Sequence, residues 1–549
     1  MLFVASVGLG VVYARLGVPF NDEGAMLTNA ARLLRGAVFY RDLDAYPFPL
    51  ATWVLALAMK VFGEHFTVAR VLAVLLNVLM VLSLYAVSLR LLEPRRAALF
   101  GVFLLALKPL AWPAFTFYLY SEFAFAFACA ALALLTAGLG RPVRLVSAGV
   151  CAAAVVLSKQ NLGFGLVVAS TLVLLVPGLR ASEVDGKQRV RDFACFAVGT
   201  GVPVLIFLSV LAWQGVLPAA LESGVLRPFT GYLPSSGVPF LPMLAWWEFG
   251  AVGGEPGAGS YLLLHPLRIA QELNRDPGAV SQGIWVLVEG GARFVYTSIP
   301  FAFFAALICW LRPARDAVDR GERRQLFGIA LVAAAVSLSA WPRADIYHVI
   351  HVYPMTGLVL FALGQRVSGR DRGPWIAVVL VMAVVLGSVL TARWFLARTT
   401  IPVRLERAEL YVEPRDTFIG PVVRGIRAAV APGAPIFVYG SDATYYFLSD
   451  RYGTWVFPQL YPGQTGGGRG EDVVDSMQQD PPHLVVRGRL KLGDLPDVRD
   501  YAPAIDRYVK RHYVKDRSFF VRHPVAKPAK GGRPKILQRR ADRVSAPVP

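Results

Sequence analysis

Long apolar runs follow one another along the first 395 residues, separated by short polar loops. Uninterrupted apolar runs of about 20 residues are the pattern of membrane-spanning helices. The first is Met1 to Leu16, which lacks the basic start and the small-residue cleavage site of a signal peptide and is read as a retained span. Further runs fall at 66–92, 97–113, 122–139, 145–158, 162–178, 193–213, 291–311, 325–341, 349–365 and 374–394. The pattern thus predicts an all-α polytopic domain of about eleven transmembrane helices over 1–395, in which 145–158 and 162–178 are short enough to tilt or re-enter. The first loop, 17–64, holds two amphipathic stretches too short to span, 22–35 and 50–62, and both are expected to lie at the membrane interface. A long loop, 214–290, carries Trp246-Trp247-Glu248, many Gly and Pro, and a helical stretch at Ser260–Leu273; such loops commonly act as lids. Beyond 396 the pattern changes. Apolar strands at 435–440 and 483–487 alternate with helical stretches at 422–430 and 471–478, as expected for a small α/β exterior domain over 396–523. Residues 524–549 are rich in Lys, Arg and Pro and are expected to be disordered.

Composition agrees with this division. The 549 residues are 55% hydrophobic with a mean hydropathy of +0.50, and only 17% are charged, where soluble domains have roughly 25%. The net charge of +19 does not mark a nucleic-acid-binding face, because its arginines and lysines sit in alternate short loops and in the polar tail. One set of loops holds Arg95 and Arg96; Arg141 and Arg144; Arg180, Lys187, Arg189 and Arg191; Arg312, Arg315, Arg320, Arg323 and Arg324; and Arg366, Arg370 and Arg372. The other set has Lys159 and Arg343 and little else. By the positive-inside rule the basic set is cytoplasmic, as is the N-terminus, and the tail domain faces the exterior. Cys129, Cys151, Cys195 and Cys309 all lie in apolar runs without metal-ligand spacing and read as core residues. No internal repeat marks an inverted-repeat transporter.

The loops assigned to the outer face bring polar groups to one depth. They carry Asp22 and Glu23, then Glu122 at the mouth of a span, then Lys159 in Ser158-Lys159-Gln160-Asn161, then Arg343, Asp345, His348 and His351. A carboxylate is costly in hydrocarbon, so Asp22 and Glu23 either cap the following helix or face a polar cavity, where one could serve as a base. Arg343 suits bidentate phosphate binding, and His348 and His351, three apart, would share a helix face. Two histidines and an acid are a weak metal set, and no metal ligands are assigned; a divalent cation is left open.

The stretch Asp22-Glu23-Gly24, Gly36, Tyr40, Asp42, Pro47-Phe48-Pro49-Leu50, Phe62-Gly63, Ala69-Arg70 resembles the first-loop signature of the GT-C membrane glycosyltransferases, on the bacterial branch related to the aminoarabinose transferase and the protein O-mannosyltransferases. The resemblance is specific over about 20–140 and architectural over 1–395. It implies a sugar donor on a polyprenyl phosphate or diphosphate, with Asp22 as catalytic carboxylate and Glu23 as the nearest rival. Glu122 occupies the place of an acidic residue in the second outer loop. Tyr46 stands where the aminoarabinose branch has a lysine, which argues for a different substrate; Tyr40 and Tyr46 join Glu122, Lys159, Arg343, Asp345, His348 and His351 as expected substrate- or phosphate-binding residues. The expected function is sugar transfer to a lipid, glycan or protein acceptor at the outer face of a bacterial inner membrane. The alternatives are a polymerase or ligase of polyprenyl-linked glycan, a transporter of lipid-linked sugar, and a scaffold that only presents the tail.

Overall fold

The computed structural model describes residues 1–18, 21–180, 183–244, 279–368, 374–466, 468–491, 495–515 and 535–539. Trp246-Trp247-Glu248 and the helix expected at Ser260–Leu273 lie outside them. Helices α1 (Leu2–Ala14), α2 (Asp22–Leu34), α3 (Leu50–Phe62), α4 (Phe66–Leu91), α5 (Pro94–Leu110), α6 (Tyr120–Gly138), α7 (Pro142–Val156), α8 (Gln160–Leu175), α9 (Gly186–Trp213), α10 (Ala279–Leu311), α11 (Ala317–Val336), α12 (Ile346–Ser368) and α13 (Trp375–Arg398) form the bundle. Prolines open α5 and α7, where their missing N–H has no helical partner to lose. Asp185 and Asp316 cap α9 and α11 through their carboxylates.

Among the described residues, seven helices are long and apolar enough to cross a membrane: α4, α6, α9, α10, α11, α12 and α13. Helices α1, α3, α7 and α8 are apolar but shorter, and α5 carries Arg95, Arg96 and Lys108, so the eleven expected spans are not all of full length. Helices α2 and α3 fall where the amphipathic pattern puts them. On α3 the face with Leu57, Val61 and Phe62 is exposed and the face with Ala51, Leu55 and Met59 is buried, as an interfacial helix requires. Without a hydrophobic force between helices in lipid, small residues let backbones close on one another. Gly149 of α7 and Gly199 of α9 do this: a Cβ on Gly149 would meet Thr200 N at 2.8 Å, and one on Gly199 would meet the Val146 backbone at 2.9 Å.

The tail begins with a hairpin, β1 (Ile401–Leu405) and β2 (Ala408–Val412), antiparallel with Ile401 opposite Val412. A five-stranded sheet follows, of order β4-β3-β5-β7-β6, with β3 (Pro435–Tyr439), β4 (Tyr452–Gly453), β5 (Leu484–Arg487), β6 (Tyr513–Lys515) and β7 (Lys535–Arg539). Strand β3 is parallel to β4 and β5, and β7 runs antiparallel between β5 and β6. Helices α14 (Ile419–Ala429), α15 (Thr444–Ser449), α16 (Glu471–Gln479) and α17 (Pro503–His512) pack around it. All five residues of β3 are buried, as expected of a parallel strand covered on both faces. Strand β7 is a departure from the expected disorder after 524: the basic composition hides Ile536 and Leu537, which pair with Val486 and Val485 of β5.

The tail is seated on the first loop. Tyr411 of β2 exchanges backbone hydrogen bonds with the segment after α1, donating to Arg15 O (2.8 Å) and accepting from Gly17 N (2.9 Å). Arg35 and Arg407 share Glu64 and Asp450. Gly24 of α2 lies against the start of α15, where a Cβ would meet Thr444 Oγ1 and sit 2.6 Å from Thr444 N. Backbone cannot swing aside like a side chain, and overpacking costs about 1–3 kcal/mol. Gly24→Ala is therefore expected to lower the midpoint of thermal unfolding in detergent and to speed proteolysis between 399 and 443; unchanged values would mean that α2 and the tail part freely.

Candidate active site

Three consecutive residues at the start of α8 tie several loops at one end of the bundle to one level. Lys159 Nζ donates to Ser121 Oγ at the head of α6 (3.0 Å). Gln160 Nε2 donates to Tyr46 O and Gly224 O (both 2.9 Å). Asn161 Nδ2 donates to Trp341 O and Leu338 O before α12. The segment Leu217–Ser236 includes two π turns, Glu222–Leu226 and Pro228–Tyr232, and closes over this level. From the first of these turns and its end, Ser223 and Arg227 clasp the buried Asp44 at 2.8 and 2.6 Å.

The two acids that open α2 part company at once. Glu23 points into the bundle, and both its oxygens accept from Arg70 Nε at 3.0 Å. Tyr118 N donates to the same carboxylate at 2.7 Å. Arg70 is fully buried, lies against the Phe66 and Phe117 rings, and also donates to the carbonyls of Ala14, Leu16 and Gly17. Glu23 is thus committed to holding α1, α2, α4 and the loop before α6 together.

Asp22 points the other way and is half-buried. Tyr461 of the tail donates to Asp22 Oδ1 at 3.3 Å and accepts from Asn21 Nδ2 at 3.1 Å; Gln459 is a second hydrogen-bond partner of Asp22. No ion-pair partner contacts Asp22 among the described residues. Burial pushes its carboxyl above the ordinary carboxylate range, against the pull of His348 and Tyr461. Tyr120, Tyr232 and Tyr347 also lie within electrostatic reach of it, as does Asp345.

Opposite Asp22 stands a triad of polar side chains at the head of α12. Asp345 accepts from Arg343 Nε at 2.7 Å through one oxygen and meets His348 Nδ1 at 2.7 Å through the other. Its Oδ1 also accepts from His348 N (3.0 Å), so it caps α12 as well. Burial acts to raise its carboxyl, but His348 and Arg343 outweigh that and hold it down at about 2. Arg343 Nη1 reaches back to Ser236 O at 3.0 Å. Lys159 completes the set: its field reaches Asp345, and burial brings its ammonium down to about 8. It meets no carboxylate at contact distance among the described residues.

The structure therefore brings Asp22, Lys159, Arg343, Asp345 and His348 into one cluster. Glu122 and His351 form a deeper layer: Glu122 accepts from Phe115 N, and His351 Nε2 lies 3.3 Å from Glu122 Oε1. His348 and His351 do not act on one target: His348 is held by Asp345, whereas His351 lies against Glu122. Tyr46 stands at the edge of the cluster, its ring tilted against Tyr232 (5.4 Å) and Phe457 (6.2 Å), and donates to Gly463 O (2.8 Å). Tyr40 lies apart, packed with Phe48 and Leu157, so the structure does not bring it to Asp22. Tyr461, Gln459, Tyr232 and Tyr347 were not singled out in the sequence. Tyr461 stands 439 positions from Asp22, and no local pattern joins them. Arg70 had one signal, a charge inside an apolar run that requires a partner.

The dolichyl-phosphate-mannose-protein mannosyltransferase family matches residues 46–213. No curated protein sequence matches the chain. Among solved structures, the oligosaccharyltransferase of Archaeoglobus fulgidus, determined with Zn and sulfate, is 10% identical with a TM-score of 0.53 over 94% of this chain and 71% of that one. ArnT of Cupriavidus metallidurans aligns with 98% of this chain, at 16% identity and a TM-score of 0.46 in the apo state (97% of that chain) and 15% and 0.45 bound to undecaprenyl phosphate (98% of that chain). The chain is thus similar over 46–213 to the protein mannosyltransferase family and shares its fold with the archaeal oligosaccharyltransferase.

Proposed function

We propose that this protein transfers a sugar from a polyprenyl-phosphate donor to an acceptor hydroxyl or amine at the exterior face of a bacterial inner membrane. The observation that carries the reading is the pairing of Asp22, a half-buried carboxylate with no cation in contact among the described residues, with a cation set across from it. The matched family is named for a sugar on a dolichyl phosphate and supports a donor of that class.

Asp22 takes the proton of the acceptor as its oxygen or nitrogen attacks the anomeric carbon. A carboxyl raised above its usual range is a stronger base than a solvated one. The bond between the anomeric carbon and the phosphate oxygen breaks, and polyprenyl phosphate leaves with the electron pair. A single displacement inverts the anomeric centre. Charge grows on the leaving phosphate, which is where fixed cations contribute most. Lys159 is the cation least matched by carboxylate, and Arg343 and His348 are aimed by Asp345. Glu23 positions Asp22 through the Arg70 anchor, and Glu122 supports α12 through His351. The family signature, the basic loops and the tail's seat on α2 agree with an exterior site. No divalent cation is required by this chemistry, and none is assigned.

Two expectations follow. Lys159 is protonated below about pH 8 in the donor-free protein. The specificity constant kcat/KM, which reports free enzyme, is therefore expected to fall above pH about 8, and Lys159→Met to remove that limb while raising donor KM. A limb that survives in Lys159→Met assigns it elsewhere. In a strain lacking the protein, mass spectrometry of lipid extracts is expected to show one polyprenyl-phosphate sugar accumulating while one surface glycan, lipid or protein loses that sugar. Unchanged extracts and surfaces would remove the reading.

A further inference from the structure

A large cavity lined by described residues lies away from the cluster. It encloses about 2100 Å³ between α5, α10, α12 and α13, where pockets for small ligands hold roughly 300–1,000 Å³. Its long wall is apolar, with Val295, Phe301, Phe361 and Val384. Its two ends differ. The end nearest the cluster is closed by Ala111, Ile346, Leu390 and Trp394 and has no charged lining residue. The far end, where α12 finishes some 20 residues and about 30 Å later, is lined by six arginines against three carboxylates, Glu93, Asp319 and Glu322. Asp319 and Glu322 are engaged by Arg366, and Asp319 also by Arg323. The guanidinium groups of Arg312 and Arg315 form no ion pair among the described residues, although the Arg315 backbone N donates to Asp319 Oδ2 at 3.1 Å.

An apolar slot with a net positive mouth between transmembrane helices fits a lipid with an anionic headgroup. The polarity of the slot decides which lipid. A donor in the proposed reaction carries its phosphate at the end with Asp22, Lys159 and Arg343, and none of these lines the cavity. We propose that the cavity is a binding site for an anionic phospholipid of the leaflet opposite the candidate active site. Its headgroup phosphate lies on Arg312 and Arg315, and its acyl chains run along α10, α12 and α13. The choice of a phospholipid over the donor rests on the sugar-transfer reading; the apolar slot and its arginines do not.

The test is native mass spectrometry of the full chain released from micelles after titration with phosphatidylglycerol or phosphatidylcholine of matched chains. The intact protein is expected to retain phosphatidylglycerol about tenfold more than phosphatidylcholine, and Arg312→Glu/Arg315→Glu to retain the two equally. Arg312→Gln/Arg315→Gln serves if charge reversal unfolds the protein, with the same loss of preference expected. Equal retention by the intact protein, or an unchanged preference in a folded variant, overturns the proposal. So does displacement of phosphatidylglycerol by equimolar polyprenyl phosphate, which would make the slot a donor-chain groove.

Discussion

Asp22→Asn protein, inserted at wild-type levels, is expected to transfer sugar about 10²–10⁴-fold more slowly, the range removed with a general base. The amide has nearly the shape of the carboxylate and still accepts from Tyr461, whose hydroxyl lies 3.3 Å from Asp22 Oδ1. What it loses is the ability to take a proton. The loss should appear in kcat with donor KM little changed, because the donor phosphate is held across the cluster by Lys159 and Arg343. Tyr461→Phe is the informative companion. It removes a donor to Asp22 without touching the bundle, so a smaller loss of kcat with an unaltered unfolding midpoint is consistent with the tail positioning the base. Wild-type kcat in Asp22→Asn would remove Asp22 from the reaction and return attention to Glu23.

Arg70→Ala is expected to cost roughly 3–5 kcal/mol, the range for breaking a buried ion pair from one side. Glu23 and Arg70 are both fully buried, so the variant leaves a carboxylate in an apolar site with only Tyr118 N to serve it. The carbonyls of Ala14, Leu16 and Gly17 lose their donor in the same step. Chemical unfolding in detergent, followed by tryptophan fluorescence, reads the loss. The double variant Arg70→Leu/Glu23→Leu should lose less than Arg70→Ala, because it removes the orphaned charge along with its partner. A double variant no better than the single would mean that the bonds to the α1 carbonyls, and not the ion pair, carry the anchor.

The parts of this molecule that were legible in the sequence are those with local signatures. The apolar runs give the spans, the amphipathic stretches give α2 and α3, and the alternation of strands and helices gives the tail. The alternation of basic and neutral loops puts Asp22, Lys159, Arg343, Asp345 and His348 at one level, and in the fold they lie within electrostatic reach of one another. The short runs at 145–158 and 162–178, expected to tilt or re-enter, are the short apolar helices α7 and α8. What stayed hidden depends on tertiary contact. Adjacent residues on a helix point about 100° apart, so Asp22 and Glu23 meet different partners, but only Arg70 shows which of them is spoken for. His348 and His351 share a helix yet divide between Asp345 and Glu122, because α6 packs on one side of α12 only at the deeper residue. Tyr461 reaches Asp22 through the docking of the tail, which Gly24 permits by carrying no side chain.

The most direct test of the central claim uses purified protein in proteoliposomes, supplied with a panel of polyprenyl-phosphate hexoses and pentoses and a cell-envelope acceptor extract. Mass spectrometry follows the release of free polyprenyl phosphate and the gain of sugar by the acceptor. The account predicts that one donor is consumed, that release and gain are equal, and that Asp22→Asn slows both by the same large factor. Every donor remaining intact with the wild-type protein, or equal consumption by Asp22→Asn, would contradict it.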